Sequence, residues 1–179
     1  MNLKNNFDIK YKIPKPKNYK KYNIGIIGAG NIVENSHLPT YLDHNLNIIN
    51  IYDADTNKSK LLKDKFNIQK YSKNLDEFLN DKSIDIVDIA VPAKYNKELF
   101  FEALKYNKNI LIQKPLSDNI KTGLDILKKY QETNLKANVN HQMRYSPSIS
   151  AAGYLIKNNM LGNILEFNFY TKRKTDWSI

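Results

Sequence analysis

The hydrophobic positions along this chain follow two rhythms that alternate. Short apolar runs at Asn23–Ile27, Leu46–Tyr52, Gln69–Tyr71, Ile84–Val91, Asn109–Gln113 and Lys136–Asn140 read as six strands. Between them, apolar residues recur at helical spacing over Asn31–Leu42, Thr56–Phe66, Asn74–Asn80, Asn96–Tyr106 and Asn119–Glu132. Pro39 falls late in the first helix, where it should kink or end it. Asp55 or Thr56 can cap the second, and Asn74 and Glu77 have capping-box spacing in the third. Leu99, Ala103 and Tyr106 mark the expected inner stripe of the fourth helix, and Ile120, Leu124 and Leu127 that of the fifth. Such alternation predicts the α/β class: a doubly wound parallel sheet with right-handed crossovers and helices on both faces.

The pattern changes at Pro147. Ile149, Ala152, Gly153 and Ile156 define one more amphipathic helix, and Met160–Asn163 reads as a turn. Ile164–Tyr170 then alternates with period two, as a half-buried strand does. One strand with one apolar face is not stable alone. A further domain or a partner is therefore expected to cover it.

Composition narrows the class. At 41% hydrophobic and 26% charged residues, the chain has the makings of an ordinary globular core. No run approaches the roughly 20 apolar residues of a membrane span, and no apolar signal segment opens the chain, so a cytoplasmic location is expected. Without cysteine there are no disulfides and no thiolate metal sites, and the three histidines, His37, His44 and His141, are too dispersed to predict a metal centre. The net charge of +10 suggests a nucleic-acid partner at first sight. Seven lysines and a single aspartate in residues 1–21, a lysine-rich leader holding the extended Ile13-Pro14-Lys15-Pro16, account for most of it. Arg144 and Arg173 are the only arginines, and arginine is the usual reader of bases and phosphates. No nucleic-acid partner is expected.

Candidate chemistry begins at Gly28-Ala29-Gly30-Asn31-Ile32, where the first strand turns into the first helix. Gly28 permits the tight turn, Gly30 lets the backbone approach a pyrophosphate, and the free N–H groups near Asn31 and Ile32 can bind its charge. The third glycine of the fingerprint is replaced by Val33, and a glycine turn can be purely structural. Asp53 ends the second strand 20 residues after Val33, where an acid would bond a ribose 2′-OH and repel a 2′-phosphate. That favours NAD, with NADP possible because Lys58 and Lys60 lie close. Asp53 and Asp55 could instead only open the next helix. Residues 22–140 are read on these grounds as an NAD(P)-binding Rossmann domain.

Gln113-Lys114-Pro115 follows the fifth strand. Together with Gly28-Ala29-Gly30, His37-Leu38-Pro39, Val91-Pro92 and His141-Gln142-Met143-Arg144-Tyr145-Ser146-Pro147, it resembles the Gfo/Idh/MocA family, the relatives of glucose–fructose oxidoreductase and inositol dehydrogenase. The resemblance covers residues 22–179. It implies a two-domain enzyme about twice this length, with an N-terminal dinucleotide-binding domain and a C-terminal α+β domain for substrate and homo-oligomer contacts. Residues 141–179 are then the opening of that second domain, cut short. The family's lysine falls on Lys114, implied to bond the substrate oxygen and assist proton movement during hydride transfer to or from a sugar, cyclitol or related polyol. Val91 and Pro92 would line the cofactor site. His141 is a candidate for substrate, or a hydrogen-bonded linker residue; Arg144 is a candidate for cofactor phosphates, or an interdomain ion pair; Trp177 is a candidate for the cleft.

Three departures stand out. Gln113 replaces the family's Glu, Asn96 stands where a histidine is frequent, and the family's Asp-x-x-x-His pattern does not follow residue 150. The chain by itself is therefore expected to be inactive. The alternative is a nucleotide-binding protein or pseudo-enzyme without catalysis. An S-adenosylmethionine methyltransferase shares the glycine turn, but the Lys-Pro step and the lack of an Asn/Asp-Pro-Pro-Tyr signature argue against it.

Overall fold

The structure, a computed structural model, describes residues 21–170. Residues 1–20 of the lysine-rich leader and Trp177 lie outside the described residues. Six strands form one sheet in the order β3-β2-β1-β4-β5-β6, every pair parallel. They are β1 (Asn23–Ile27), β2 (Asn47–Tyr52), β3 (Lys70–Tyr71), β4 (Ile86–Ile89), β5 (Asn109–Gln113) and β6 (Ala137–Asn140). The helices are α1 (Leu38–Asp43), α2 (Thr56–Lys65), α3 (Leu75–Asn80), α4 (Asn96–Lys105), α5 (Ile120–Gln131) and α6 (Pro147–Lys157). The described residues divide into two compact units that part between His141 and Gln142. No helix among them is long and apolar enough to cross a membrane.

Both faces of the sheet are buried, each with its own core. Ile24, Ile26, Ile48 and Ile51 pack with Val33, Leu38 and Leu62 on one side. Ile27, Ile49, Val87, Ile89, Ile110 and Ile112 pack with Phe78, Phe100, Ala103 and Ile126 on the other. Ile48 and Ile51 share a face despite their odd separation, because the β1–β2 register slips between Ile24 and Gly25. Gly25 has a steric reason: a Cβ there would stand 2.6 Å from the Phe78 ring.

Local signals held at the helix starts. Asp55 accepts from Asn57 N–H (3.1 Å), and Asn74 accepts from Glu77 N–H (2.8 Å). The Glu77 carboxylate reaches back to Lys73 N–H (3.0 Å), one residue earlier than a capping box requires.

Three expectations are corrected. Pro39 does not end its helix: Val33–His37 form a π-helical turn with Leu38 N–H bonded to Val33 C=O, and α1 continues to Asp43. Pro39 thereby sits in the first turn of α1, where a missing N–H costs least. On α5 the inner face carries Ile126, with Thr122 and Tyr130 half-buried, while the predicted stripe is on the outside, Ile120 being 82% and Leu124 59% exposed. Packing against α4, where Lys97 Nζ meets Asp125 Oδ2 at 2.5 Å, chose the face that periodicity left open. On α4 the expected stripe does face inward: Ala103 is buried with Asn96, Phe100 and Leu104, and Leu99 and Tyr106, half-buried, pack against the same core. Ile164–Tyr170 is not a strand: it pairs with no strand among the described residues, and Leu165 is 96% exposed. Alternation prepares a segment for a ladder but does not supply its partner.

A buried lysine ties the sheet's lower edge together. Lys108 Nζ donates to the carbonyls of Asp81 (2.7 Å) and Ile84 (2.9 Å), and burial pulls its ammonium pKa down. Nearby, burial alone would raise the Asp81 carboxyl, but Lys70, Ser83 O–H and Ser83 N–H hold it down at about 2. A depressed carboxyl stabilises the fold above its unfolded pKa and loses that contribution as the pH falls through the folded one. The urea midpoint is therefore expected to drop as the pH is lowered from about 4 towards 2, with a shallower drop in Asp81→Asn. Equal slopes for the two chains would remove Asp81 from the account.

Candidate functional site

Parallel pairing sets the carboxyl ends of the strands in one row. Ile27 pairs with both Tyr52 and Ile89, Ile89 with Ile112, and Gln113 with Asn140. Residues just beyond those pairs therefore line up along the edge: Gly28 after β1, Asp53 after β2, Val91 after β4, Lys114 after β5 and His141 after β6. From Asp53 to Lys114 the row crosses three strand gaps, about 14 Å at the usual spacing. The strand order reverses between β1 and β4, where an open α/β sheet leaves its ligand crevice.

Each part of the glycine turn has its own reason. Gly28 has φ +108°, and a Cβ there would lie 2.4 Å from the Ala90 carbonyl oxygen. Its N–H bonds Tyr52 C=O at 2.7 Å. Gly30 differs: its φ is not positive, and an added Cβ would meet nothing within 4 Å. Nothing in the packing of the described residues requires that glycine, so the open space suits the close approach of a ligand. Gly30 C=O accepts from Val33 and Glu34 N–H and starts the helix, leaving Asn31 and Ile32 N–H without an intrahelical acceptor. Val33, in place of the third glycine, is fully buried against the sheet.

Asp53 opens the next helix as the sequence allowed, and also holds the glycine turn, which sequence reasoning missed. Its Oδ2 accepts from Ala29 N–H at 2.7 Å and its Oδ1 from Asp55 N–H at 2.8 Å. The carboxylate thus shapes the glycine turn and the start of α2 together, with lone pairs left for a ribose hydroxyl. Lys58 is drawn towards Asp55, 4.0 Å away. A cleft of about 400 Å³ opens here, lined by Gly28, Tyr52, Asp53, Val91, Pro92 and Tyr95 among others. Burial, and the Asp53 carboxylate beside it, push the Tyr52 phenol up.

Lys114 is exposed, and its ammonium makes no hydrogen bond or ion pair with the described residues. Its backbone is held instead. Gln113 Oε1 accepts Lys114 N–H at 2.8 Å, and Asn96 Nδ2 donates to the carbonyls of Pro115 (3.0 Å) and Leu116 (3.1 Å). Asn96 is 1% exposed, so this residue braces the lysine loop from the start of α4 rather than facing the cleft. His141 is exposed beside Lys114, its N–H bonded to Val139 C=O. Arg144 lies in the other unit, exposed, in a 3₁₀ turn over Gln142–Tyr145. His37 and Asp88 are buried and in contact, and neither was singled out for chemistry from sequence. A signal existed: Asp88 is the one acid within the β4 bounds.

A family profile described as "Oxidoreductase family, NAD-binding Rossmann fold" matches residues 22–141. Among curated proteins, the chain is 31% identical over 135 residues to the uncharacterized protein YMR315W of Saccharomyces cerevisiae, covering 73% of this chain and 38% of that one. It is 26% identical over 152 residues to glucose-6-phosphate 3-dehydrogenase of Bacillus subtilis, covering 85% and 43%. Among solved structures, myo-inositol dehydrogenase from Lactobacillus casei, in complex with NAD(H) and myo-inositol, superposes with a TM-score of 0.73 at 20% identity, covering 79% of this chain and 42% of that one. The chain spans less than half the length of these relatives.

Proposed function

Since this chain belongs to the Gfo/Idh/MocA oxidoreductase family through its NAD-binding Rossmann fold, we propose that it is the nucleotide-binding part of a dehydrogenase acting on a hydroxyl of a sugar, cyclitol or related polyol. The observation that carries this reading is the register that sets Lys114 and His141 side by side, on the same edge as the glycine turn and Asp53. The residues present suit a dinucleotide: the space at Gly30 admits a pyrophosphate, the N–H groups of Asn31 and Ile32 face it, and Asp53 keeps lone pairs for a ribose. Val91 and Pro92 form the cleft wall between adenosine and nicotinamide ends.

The bound dinucleotide supplies the hydride acceptor or donor. Lys114 Nζ donates a hydrogen bond to the reacting oxygen and assists the movement of its proton as the C–H bond breaks. His141, one strand further on, orients a neighbouring hydroxyl. The similarity to glucose-6-phosphate 3-dehydrogenase and to myo-inositol dehydrogenase supports the polyol class. Residues 141–179 are the opening of a substrate domain in this reading. The 179 residues alone are expected to bind cofactor without turnover, because the Asp-x-x-x-His pattern expected from the family does not follow residue 150.

The test has two parts. Titrating NADH, NADPH and S-adenosylmethionine against the polypeptide, with nicotinamide fluorescence as readout, is expected to show saturable NADH binding that S-adenosylmethionine does not displace. A panel of polyols with NAD is expected to give no turnover. Robust turnover abolished by Lys114→Ala would show a complete catalytic set in these residues and would overturn the two-domain part of the reading.

A further inference from the structure

Between the helix that follows the glycine turn and the end of β5 runs a chain of buried polar groups. Asp88, 0% exposed on β4, accepts from Tyr41 O–H at 2.8 Å through Oδ2, and the same oxygen meets His37 Nδ1 at 2.7 Å. His37 Nε2 lies 2.9 Å from Gln113 Nε2. Gln113 Oε1 in turn accepts the N–H of Lys114.

Counting donors settles where the protons are. The Gln113 oxygen is committed to Lys114 N–H, so the atom facing His37 is the amide nitrogen, which can only donate. His37 Nε2 must then be bare, and the ring proton sits on Nδ1 and is given to Asp88. Burial, then the Asp88 carboxylate, pushes the Tyr41 phenol up, so it stays a donor. From Lys114 N–H through Gln113 and His37, each donor points towards Asp88, which also accepts from Tyr41.

We propose that His37, oriented by Asp88 and Tyr41, is a positioning residue: it holds the Gln113 amide in the rotamer that caps Lys114 N–H and so sets how Lys114 leaves the sheet. Asn96 completes the clamp from the far side through the carbonyls of Pro115 and Leu116. The functional weight of this rests on the reading of Lys114 given above. The geometry does not.

Two observations separate positioning from mere core filling. A buried carboxylate costs several kcal/mol, and Asp88 Oδ1 has no hydrogen-bond partner among the described residues, in a strand whose neighbours, Val87 and Ile89, are apolar. An aliphatic residue would fill that space at lower cost. Gln113 is also matched to a bare Nε2. A Glu at 113 would have no N–H to offer, and His37 would need a second proton or the other tautomer.

Nitrogen NMR of the His37 ring and amide hydrogen exchange of the whole 179-residue chain test this without reference to turnover. In the unmodified chain Nδ1 is expected to carry the proton. Gln113→Leu, which leaves His37 and Asp88 in place, is expected to speed Lys114 amide exchange about tenfold, the worth of one hydrogen bond, with Val87 and Ile89 amides unchanged. His37→Phe should do the same, and Asp88→Asn, which keeps an acceptor oxygen, should restore most of the protection that Asp88→Leu removes. A proton on Nε2, unchanged Lys114 exchange in Gln113→Leu, or exchange raised equally throughout β4 would each overturn the proposal. NADH titration of the same samples separates the two ideas. Failure to bind NADH would sink the functional reading and leave the tautomer and exchange results to decide the clamp.

Discussion

Gly28→Ala is expected to cost this protein a large part of its stability, while Gly30→Ala leaves the fold close to intact and strips it of cofactor. At position 28 the backbone sits at φ +108°, where any side chain is strained by about 1–3 kcal/mol. The new Cβ would also stand 2.4 Å from Ala90 O and 3.0 Å from Ala90 C, backbone atoms just past a central strand that cannot step aside cheaply. Strain and overlap together should reach roughly 3–5 kcal/mol, the range of severe single substitutions, against a total of about 5–15. At position 30 neither term applies, and Ala in place of Gly where a helix begins costs about 1 kcal/mol at most. The methyl group would instead occupy the space left for a pyrophosphate, so NADH affinity should fall at least tenfold. Urea midpoints and NADH titrations of the two variants form the comparison. A normal midpoint for Gly28→Ala, or undiminished NADH binding by Gly30→Ala, would undo this division of labour.

Asp53→Ala is expected to weaken NADH binding by roughly one to two powers of ten, since a hydrogen bond to a charged group is worth about 1.5–3 kcal/mol. Two effects act together. The ribose loses its acceptor, and Ala29 and Asp55 N–H lose the carboxylate that holds the glycine turn and the α2 start in place. NADPH binding should fall less, because the charge that repels a 2′-phosphate goes too. Asp53→Asn separates these effects. It keeps one acceptor oxygen but turns an N–H towards the other backbone donor, so the preference for NADH should narrow with a smaller loss of affinity. Equal affinity of the unmodified chain for NADH and NADPH would count against the ribose role, leaving Asp53 as a brace for the turn alone.

Much of the fold was legible because its signals are local. β1 and β5 begin and end where the apolar runs do, and Asn74 caps its helix as its spacing to Glu77 predicts. The edge where the glycine turn, Asp53 and Lys114 meet was legible too, since alternation of strand and helix leaves every strand's carboxyl end on the same side.

The misses share one cause. Periodicity shows that α5 has an apolar stripe but not whether Ile126 or Leu124 will meet α4. Alternation at Ile164–Tyr170 shows a face and no partner. Asn96 read only as a departure from a frequent histidine, and the folded loop revealed it as the brace of Pro115 and Leu116.

The sequence by itself determined the α/β class, the positions of the strands and the family, because each rests on residues a few places apart or on motifs in order. Tertiary structure alone decided which face of α5 is buried, that Asp53 holds Ala29, and that His37 meets Asp88 and Gln113, partners 51 and 76 residues away. A hydrogen bond between distant residues depends on sheet order and register, and no local preference encodes those.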